Sequence, residues 1–210
     1  MYFFIFGILL MTYLMVISKR ITALIAGFCL QSLFLFGCIL FIAFRTANTE
    51  MFILAGLILL LKVIGIPLFL LRIIKRVKTN EDLGLLVNPM LSIFAAILLT
   101  VLSNIFAQEV VGLTDKLVIT SLAVSLSVTL TGLFIMITRR KAVAQIVGLL
   151  MMENGIFLTA SALCGGMPFL VEIAVFFDIF MFVVILGIFV YRISELFTHI
   201  DVDKLTRLRG

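Results

Sequence analysis

The sequence predicts an all-α integral membrane protein built as a bundle of seven transmembrane helices. Of its 210 residues, 64% are hydrophobic and 13% are charged, whereas a soluble domain is about 45–50% apolar and about 25% charged. A chain this apolar has too few polar residues to cover a water-soluble fold. Its apolar residues form long continuous runs, as membrane-spanning helices do, and lack the short alternating pattern of a β-barrel.

Each apolar run of about 20 residues is long enough to cross the hydrocarbon core as one helix. Seven runs approach this length: 2–18, 21–44, 51–72, 84–107, 117–138, 142–164 and 168–192. We expect the first run to be retained as a span, because no positively charged segment precedes it. The prediction is therefore one membrane domain, residues 1–210, in the cell (inner) membrane.

Lysine and arginine residues are distributed unevenly between the two ends of these runs. The odd-numbered loops and the C-terminal tail contain thirteen of them, and the even-numbered loops contain two. Because cytoplasmic loops carry the cation excess, the N-terminus is predicted outside and the C-terminus in the cytoplasm. The net charge of +5 follows from this topology, so we expect a lipid bilayer and no nucleic acid as partner.

A weak internal repeat relates the two halves of the chain. Residues 1–78 and 117–198 match with an offset of about 120 residues, and span four (84–107) is then a connector. The copies differ in chemistry, because Gln31 of the first stands near the position of Glu153 in the second. The few identities leave the duplication open.

Four ionisable residues lie inside the predicted spans: Lys62, Glu153, Glu172 and Asp178. A charge at the centre of a membrane helix costs about 2.5–3.5 kcal/mol on insertion scales, so it is usually paired, protonated or functional. Buried acids and a buried lysine can exchange protons near neutral pH. We therefore predict a proton relay of these four residues.

Neighbouring residues are expected to support the relay. Asn154 can hydrogen-bond a nearby acid in either protonation state or hold a water, and Gln31 is a second supporting polar residue. Pro67 lacks an N–H group and should bend its helix one turn beyond Lys62.

Each ionisable residue also has a structural interpretation. Lys62 could extend towards a headgroup, although its mid-span position makes that reach poor. Glu153 and Asp178 could be protonated and serve only to hold helices together. Glu172, about one turn from the outer end of its span, could be a solvated boundary charge.

The three cysteines form no C-x-x-C pair and are expected to be small apolar fillers. We therefore predict no cysteine-ligated zinc or iron–sulfur centre, no cofactor and no metal in this chain. H-E-x-x-H, P-loop and G-x-S-x-G motifs are also absent from the sequence, so no catalytic residue is expected.

Several motifs resemble known membrane subunits. Arg139-Arg140-Lys141, Gly148, Glu153-Asn154 and Asp178 resemble the small three-helix membrane subunit of respiratory complex I and the related antiporter small subunit. In the complex I subunit the first buried acid usually lies two residues after the glycine, where this chain has Leu150. Glu153 lies three residues later, one turn deeper on a similar face.

The whole chain more closely resembles the hydrogenase-4 component E family. The matching pieces are Met152-Glu153-Asn154-Gly155, Leu170-Val171-Glu172-Ile173, Asp178, Lys62 before Pro67, and the tail from Asp201 to Gly210.

This resemblance implies a non-catalytic membrane-arm subunit of an energy-converting [NiFe] hydrogenase, of the formate hydrogenlyase type. Its expected partners are antiporter-like and quinone-site-like membrane subunits and, indirectly, the [NiFe] and iron–sulfur subunits. The implied role is proton or cation translocation coupled to redox chemistry elsewhere. The alternatives are a small subunit of a cation/proton antiporter and a structural anchor of the complex.

Overall fold

A computed structural model describes residues 1–47, 49–77, 87–111 and 116–164, and these ranges are almost entirely helical. The elements are α1 (Tyr2–Ile17), α2 (Ile21–Thr46), α3 (Thr49–Leu57), a π-helix (Ile58–Gly65), α4 (Ile66–Val77), α5 (Pro89–Val111), α6 (Lys116–Thr138) and α7 (Ala142–Cys164).

Five helical stretches in the described part are long and apolar enough to cross a membrane: Ile21–Thr46, Thr49–Arg72, Pro89–Val110, Lys116–Thr138 and Ala142–Ser161. Helix α1, with 16 residues, is apolar but shorter. The all-helical membrane class is therefore confirmed. The seventh predicted span lies outside the described residues, so the count of seven and the orientation remain predictions.

The fourth span begins later than predicted, at Pro89 instead of residue 84. Proline suits the first turn of a helix, where its missing N–H is not needed. The preceding Asn88 accepts a hydrogen bond at its Oδ1 from the N–H of Met90, 3.3 Å away. This side chain compensates one of the N–H groups that a helix start leaves unpaired.

The third span contains eight residues of π-helix between its two α-helical parts. The expected distortion near Pro67 thus occurs on the N-terminal side of the proline, around Lys62 itself. The carbonyl of Val63 would pair with residue 67 in an α-helix, but proline has no N–H to give. The thiol of Cys29 lies 3.2 Å from this carbonyl and donates to it.

Helices α6 and α7 pack closely because small residues face each other. A Cβ added to Gly132 would lie 2.7 Å from the carbonyl oxygen of Gly148, and one added to Gly148 would lie 2.9 Å from that of Gly132. Such backbone proximity between small residues is a common way for membrane helices to associate.

Hydrogen bonds between hydroxyl groups link three other helices. The Tyr13 hydroxyl donates to Thr100 Oγ1 over 2.8 Å, and Thr100 Oγ1 lies 2.6 Å from Ser127 Oγ. These bonds link α1, α5 and α6. Large apolar side chains such as Phe94 and Ile137 remain exposed, as expected for surfaces that contact lipid.

Candidate functional site

A buried ion pair between Lys62 and Glu153 lies at the centre of the described helices. Lys62 Nζ is 3.2 Å from Glu153 Oε1. The two residues are 0% and 3% exposed. Transfer of one elementary charge into hydrocarbon costs several kcal/mol. Burial of these two charges is tolerated because they lie next to each other.

Both charges lie far from the ends of their helices. Glu153 is eleven residues after Ala142, the first residue of α7, which places it about 16 Å along that helix at 1.5 Å per residue. Lys62 lies between Thr49 and Arg72, the ends of its apolar stretch. The pair is therefore near the middle of a bilayer.

A chain of side-chain hydrogen bonds extends from the lysine. Lys62 Nζ donates to Asn154 Oδ1 over 3.3 Å. Asn154 Nδ2 donates to Gln31 Oε1 over 3.3 Å and to Ser32 Oγ over 3.0 Å. Gln31 Nε2 donates to Thr12 Oγ1 over 2.8 Å, and α1, α2, α7 and the π-helix are thereby joined.

The direction of every amide in this chain follows from the lysine. A lysine ammonium only donates, so Asn154 must present its oxygen to Lys62 and its nitrogen to Gln31. Gln31 must then present its nitrogen to Thr12, whose hydroxyl donates to the carbonyl of Ile8 over 2.9 Å. The amides are thus held in one orientation as long as Lys62 stays in place.

The carboxylate of Glu153 has unused acceptor capacity. Both of its oxygens are buried, and neither accepts a hydrogen bond from the residues that the structure describes. The 3.2 Å separation from Lys62 is an ion-pair contact. A carboxylate held mainly by charge has lone pairs left for a proton or a water.

The local helix geometry shapes the environment of the lysine. Lys62 is inside the π-helix Ile58–Gly65, a conformation that is rare and frequently found at functional sites. The Nζ atom also lies 5.3 Å from the centroid of the Phe157 ring on α7. A cation over an aromatic face gains electrostatic stabilisation, more so where water is excluded.

The structure brings together four of the residues predicted from sequence: Lys62, Glu153, Asn154 and Gln31. Asn154 was expected to hydrogen-bond a nearby acid or a water; its oxygen accepts from Lys62, the partner of Glu153, and the expected bond to an acid stays a prediction. Glu172 and Asp178 lie outside the described residues. Within the described ranges, no group of three His, Cys, Asp or Glu side chains is placed to hold a metal ion.

Sequence reasoning missed three contributors to the site. Thr12 ends the amide chain, Ser32 shares the Asn154 amide, and Phe157 covers the lysine. Thr12 is the only threonine or serine of predicted span one before Ser18 at its end, and an isolated polar residue in an apolar run was the available signal. The sequence offers no comparable signal for Phe157, one of 21 phenylalanines.

Comparison with known proteins gives two kinds of relative. The uncharacterized protein Rv0085 of Mycobacterium tuberculosis is 33% identical over 153 residues, which cover 72% of this chain and 70% of that protein. Hydrogenase-4 component E of Escherichia coli is 28% identical over 205 residues, 97% of this chain and 95% of the relative. The chain is therefore homologous to hydrogenase-4 component E over nearly its full length.

The similarity to the Shigella flexneri component E has the same extent, 97% of this chain. No family model and no solved structure matches the chain. The protein is accordingly a multi-pass membrane protein related to a component of a hydrogenase complex, while the predicted likeness to the complex I and antiporter small subunits remains a prediction.

Proposed function

We propose that this protein is a non-catalytic membrane subunit of a multisubunit energy-converting [NiFe] hydrogenase. Its Lys62–Glu153 pair would take part in proton or cation translocation driven by electron transfer in partner subunits. The observation that carries this proposal is the buried ion pair itself, with its 3.2 Å separation and its position near mid-membrane. The relation to component E supplies the complex in which such a pair would work.

The pair has the properties of a site that stores a proton. Glu153 can accept one at an oxygen that no hydrogen bond occupies, and Lys62 is a donor already held within reach. Protonation of Glu153 would leave Lys62 with an uncompensated charge, so the lysine would then release a proton or turn to another partner. Exchange of this kind couples a proton to a change in local charge.

The amides next to the pair have a different role. Asn154 and Gln31 cannot pass a proton readily, since an amide would have to become an imidic acid. They fix the position of Lys62 through hydrogen bonds that run to Thr12. Protons would reach the pair through water or through other acids, and we propose Asp178 and Glu172 as those further relay groups.

A structural anchor is the competing function, and one observation favours it. The pair and its amide chain join four helical segments within one chain, as an interhelical brace would. In that case the charges would contribute to assembly and not to translocation.

The deciding experiment is Glu153→Gln in the intact complex, with Glu109→Gln as the matched control. Glutamine preserves the volume of glutamate and removes its titratable group. Glu109 is exposed near the end of α5. Assembly would be followed on native gels, and proton uptake would be measured in inverted membrane vesicles supplied with the electron donor of the complex.

We expect Glu153→Gln to assemble at reduced stability, because Lys62 is left without its partner, and to lose proton uptake, while Glu109→Gln keeps both. Asp178→Asn should also lose uptake. Unchanged uptake in both Glu153→Gln and Asp178→Asn would refute the relay. Loss of the assembled complex both in Glu153→Gln and in the charge-neutral double variant Lys62→Met with Glu153→Gln, with normal assembly of the control, would support the anchor.

A further inference from the structure

Five cationic residues collect at one end of the bundle, away from the ion pair. They belong to two connections, Lys19-Arg20 between α1 and α2, and Arg139-Arg140-Lys141 between α6 and α7. The second connection reaches the last turn of α1, just before the first connection, because Arg139 Nη2 donates to the carbonyl of Val16 over 2.7 Å.

Two helix starts lie at the same end. Helix α2 begins at Ile21 and α7 at Ala142, directly after the two cationic segments, and neither has an acidic residue in its first turn. The N-cap of α2 is Arg20, which makes no capping side-chain bond. Helix N-termini carry partial positive charge and unpaired N–H groups, so they add to the positive potential of the arginines.

Arg139 is the buried member of this group. It is 2% exposed, and its Nε and Nη1 atoms are buried without a hydrogen-bond partner among the described residues. These two atoms carry three of the five N–H donors of a guanidinium. Burial lowers the pKa of Arg139 from its ordinary value, because the charged form loses solvation.

The acidic residues of the described ranges do not compensate this end. Glu50 begins α3 and Glu109 ends α5, both at the opposite end of the bundle, and Glu153 is at mid-depth. Buried donors without acceptors normally indicate an ion or water that completes the site.

We propose that this end of the bundle binds the phosphate group of an anionic phospholipid, with Arg139 as the inner ligand. Arg139 follows the last residue of α6, Thr138, and so lies at the level where phospholipid phosphates are found. The exposed Lys19, Arg20 and Arg140 surround it with further positive charge. Arginine is suited to phosphate because its donors are fixed in a planar fork.

The test compares lipid binding by the full-length chain and two single variants, Arg139→Gln and Arg45→Gln. Arg45 lies at the other end of α2, over the ring of Phe41, and serves as the matched control. Native mass spectrometry would count bound phosphatidylglycerol and phosphatidylcholine. Thermal unfolding with added phosphatidylglycerol or inorganic phosphate would separate a lipid from a free anion.

We expect the unchanged chain to retain phosphatidylglycerol over phosphatidylcholine. Arg139→Gln should bind phosphatidylglycerol roughly fivefold more weakly, the usual effect of one cation at a membrane surface, whereas Arg45→Gln should bind as before. Equal preference in the chain and in a folded Arg139→Gln variant would overturn the proposal. Equal thermal protection by inorganic phosphate alone would also overturn it in favour of a free anion.

A second variant keeps the proposal testable if Arg139→Gln does not fold, since Arg139 also binds the end of α1. The double change Lys19→Gln and Arg140→Gln alters two exposed side chains. It should weaken phosphatidylglycerol binding at low salt by more than a single change does, and unchanged binding would contradict the proposal.

Discussion

At the scale of single residues, the site depends on the mutual compensation of Lys62 and Glu153. Each charge is tolerated at mid-membrane because the other lies 3.2 Å away. The free energy lost when one partner is removed is therefore not that of one contact. Removal of either partner leaves the other as an isolated buried charge, whereas removal of both leaves a neutral core.

Lys62→Met should lower the free energy of unfolding by about 3–5 kcal/mol, the usual cost of breaking a buried pair. The double change Lys62→Met with Glu153→Gln should restore most of this loss, because no uncompensated charge remains. Thermal unfolding in detergent would measure both. If the double variant is as unstable as the single one, charge compensation is not what stabilises the pair.

Gln31→Leu should destabilise the bundle by about 0.6–1.7 kcal/mol, the range measured for hydrogen bonds between membrane helices. It removes the acceptor of Asn154 and the donor to Thr12. Gln108→Leu is the control, because Gln108 is exposed on α5. Thermal unfolding should separate the two variants, and equal stability would show that the amide chain contributes little.

The sequence was sufficient to select the charged residues of the site but not their partners. Insertion cost alone singled out Lys62 and Glu153, because it depends only on residue type and depth in an apolar run. Their contact depends on how two spans separated by 90 residues pack, which no local pattern encodes. For the same reason the sequence did not predict that the Asn154 oxygen accepts from Lys62.

At the scale of helices, close packing and backbone distortion are related to the site in different ways. The approach of α6 to α7 at Gly132 and Gly148 fixes the helix that carries Glu153. The π-helix fixes the direction of Lys62. Hydrophobic periodicity did not predict it, because a span that is apolar on all sides gives no periodic signal from which a wider turn could be recognised.

Gly132→Ala should destabilise the bundle by about 1–3 kcal/mol, as overpacking does in close-packed interiors. The added Cβ would lie 2.7 Å from the Gly148 oxygen and 2.8 Å from the Met152 nitrogen. Both are backbone atoms, so α6 and α7 would have to separate.

Gly56→Ala is the matched control for this helix contact, because a Cβ there has no neighbour within 4 Å. Alanine is also a better helix former than glycine, so this variant should be at least as stable as the unchanged chain in thermal unfolding. Comparable losses in both variants would contradict the assignment of the α6–α7 contact to close backbone packing.

At the scale of the whole molecule, the cation pattern and the described helices agree on which connections share an end. The Lys19-Arg20 and Arg139-Arg140-Lys141 segments were both assigned to the cytoplasmic side from charge alone, and the bond between Arg139 and Val16 brings these two segments together. The cytoplasmic placement of both connections remains a prediction from charge. This prediction from charge does not depend on how the helices pack, since the membrane itself separates the two ends of the bundle.

The orientation of the complete chain gives the last prediction. Four predicted spans separate the first connection, Lys19-Arg20, from the fifth, Arg139-Arg140-Lys141. Two further predicted runs, 142–164 and 168–192, then cross the membrane and return the C-terminus to the side of these connections. Green fluorescent protein fused after Gly210 should therefore fluoresce, because it folds in the cytoplasm, and Lys19→Cys should be labelled from the same side. The contrary result has two parts: the fluorescent fusion at Gly210 is dark while a periplasmic reporter there is active, and Lys19→Cys is still labelled from the cytoplasm. This result would show that run 168–192 does not end in the cytoplasm. Asp178 would then no longer be placed at mid-membrane by a single crossing, and its part in the proposed relay would fail with it.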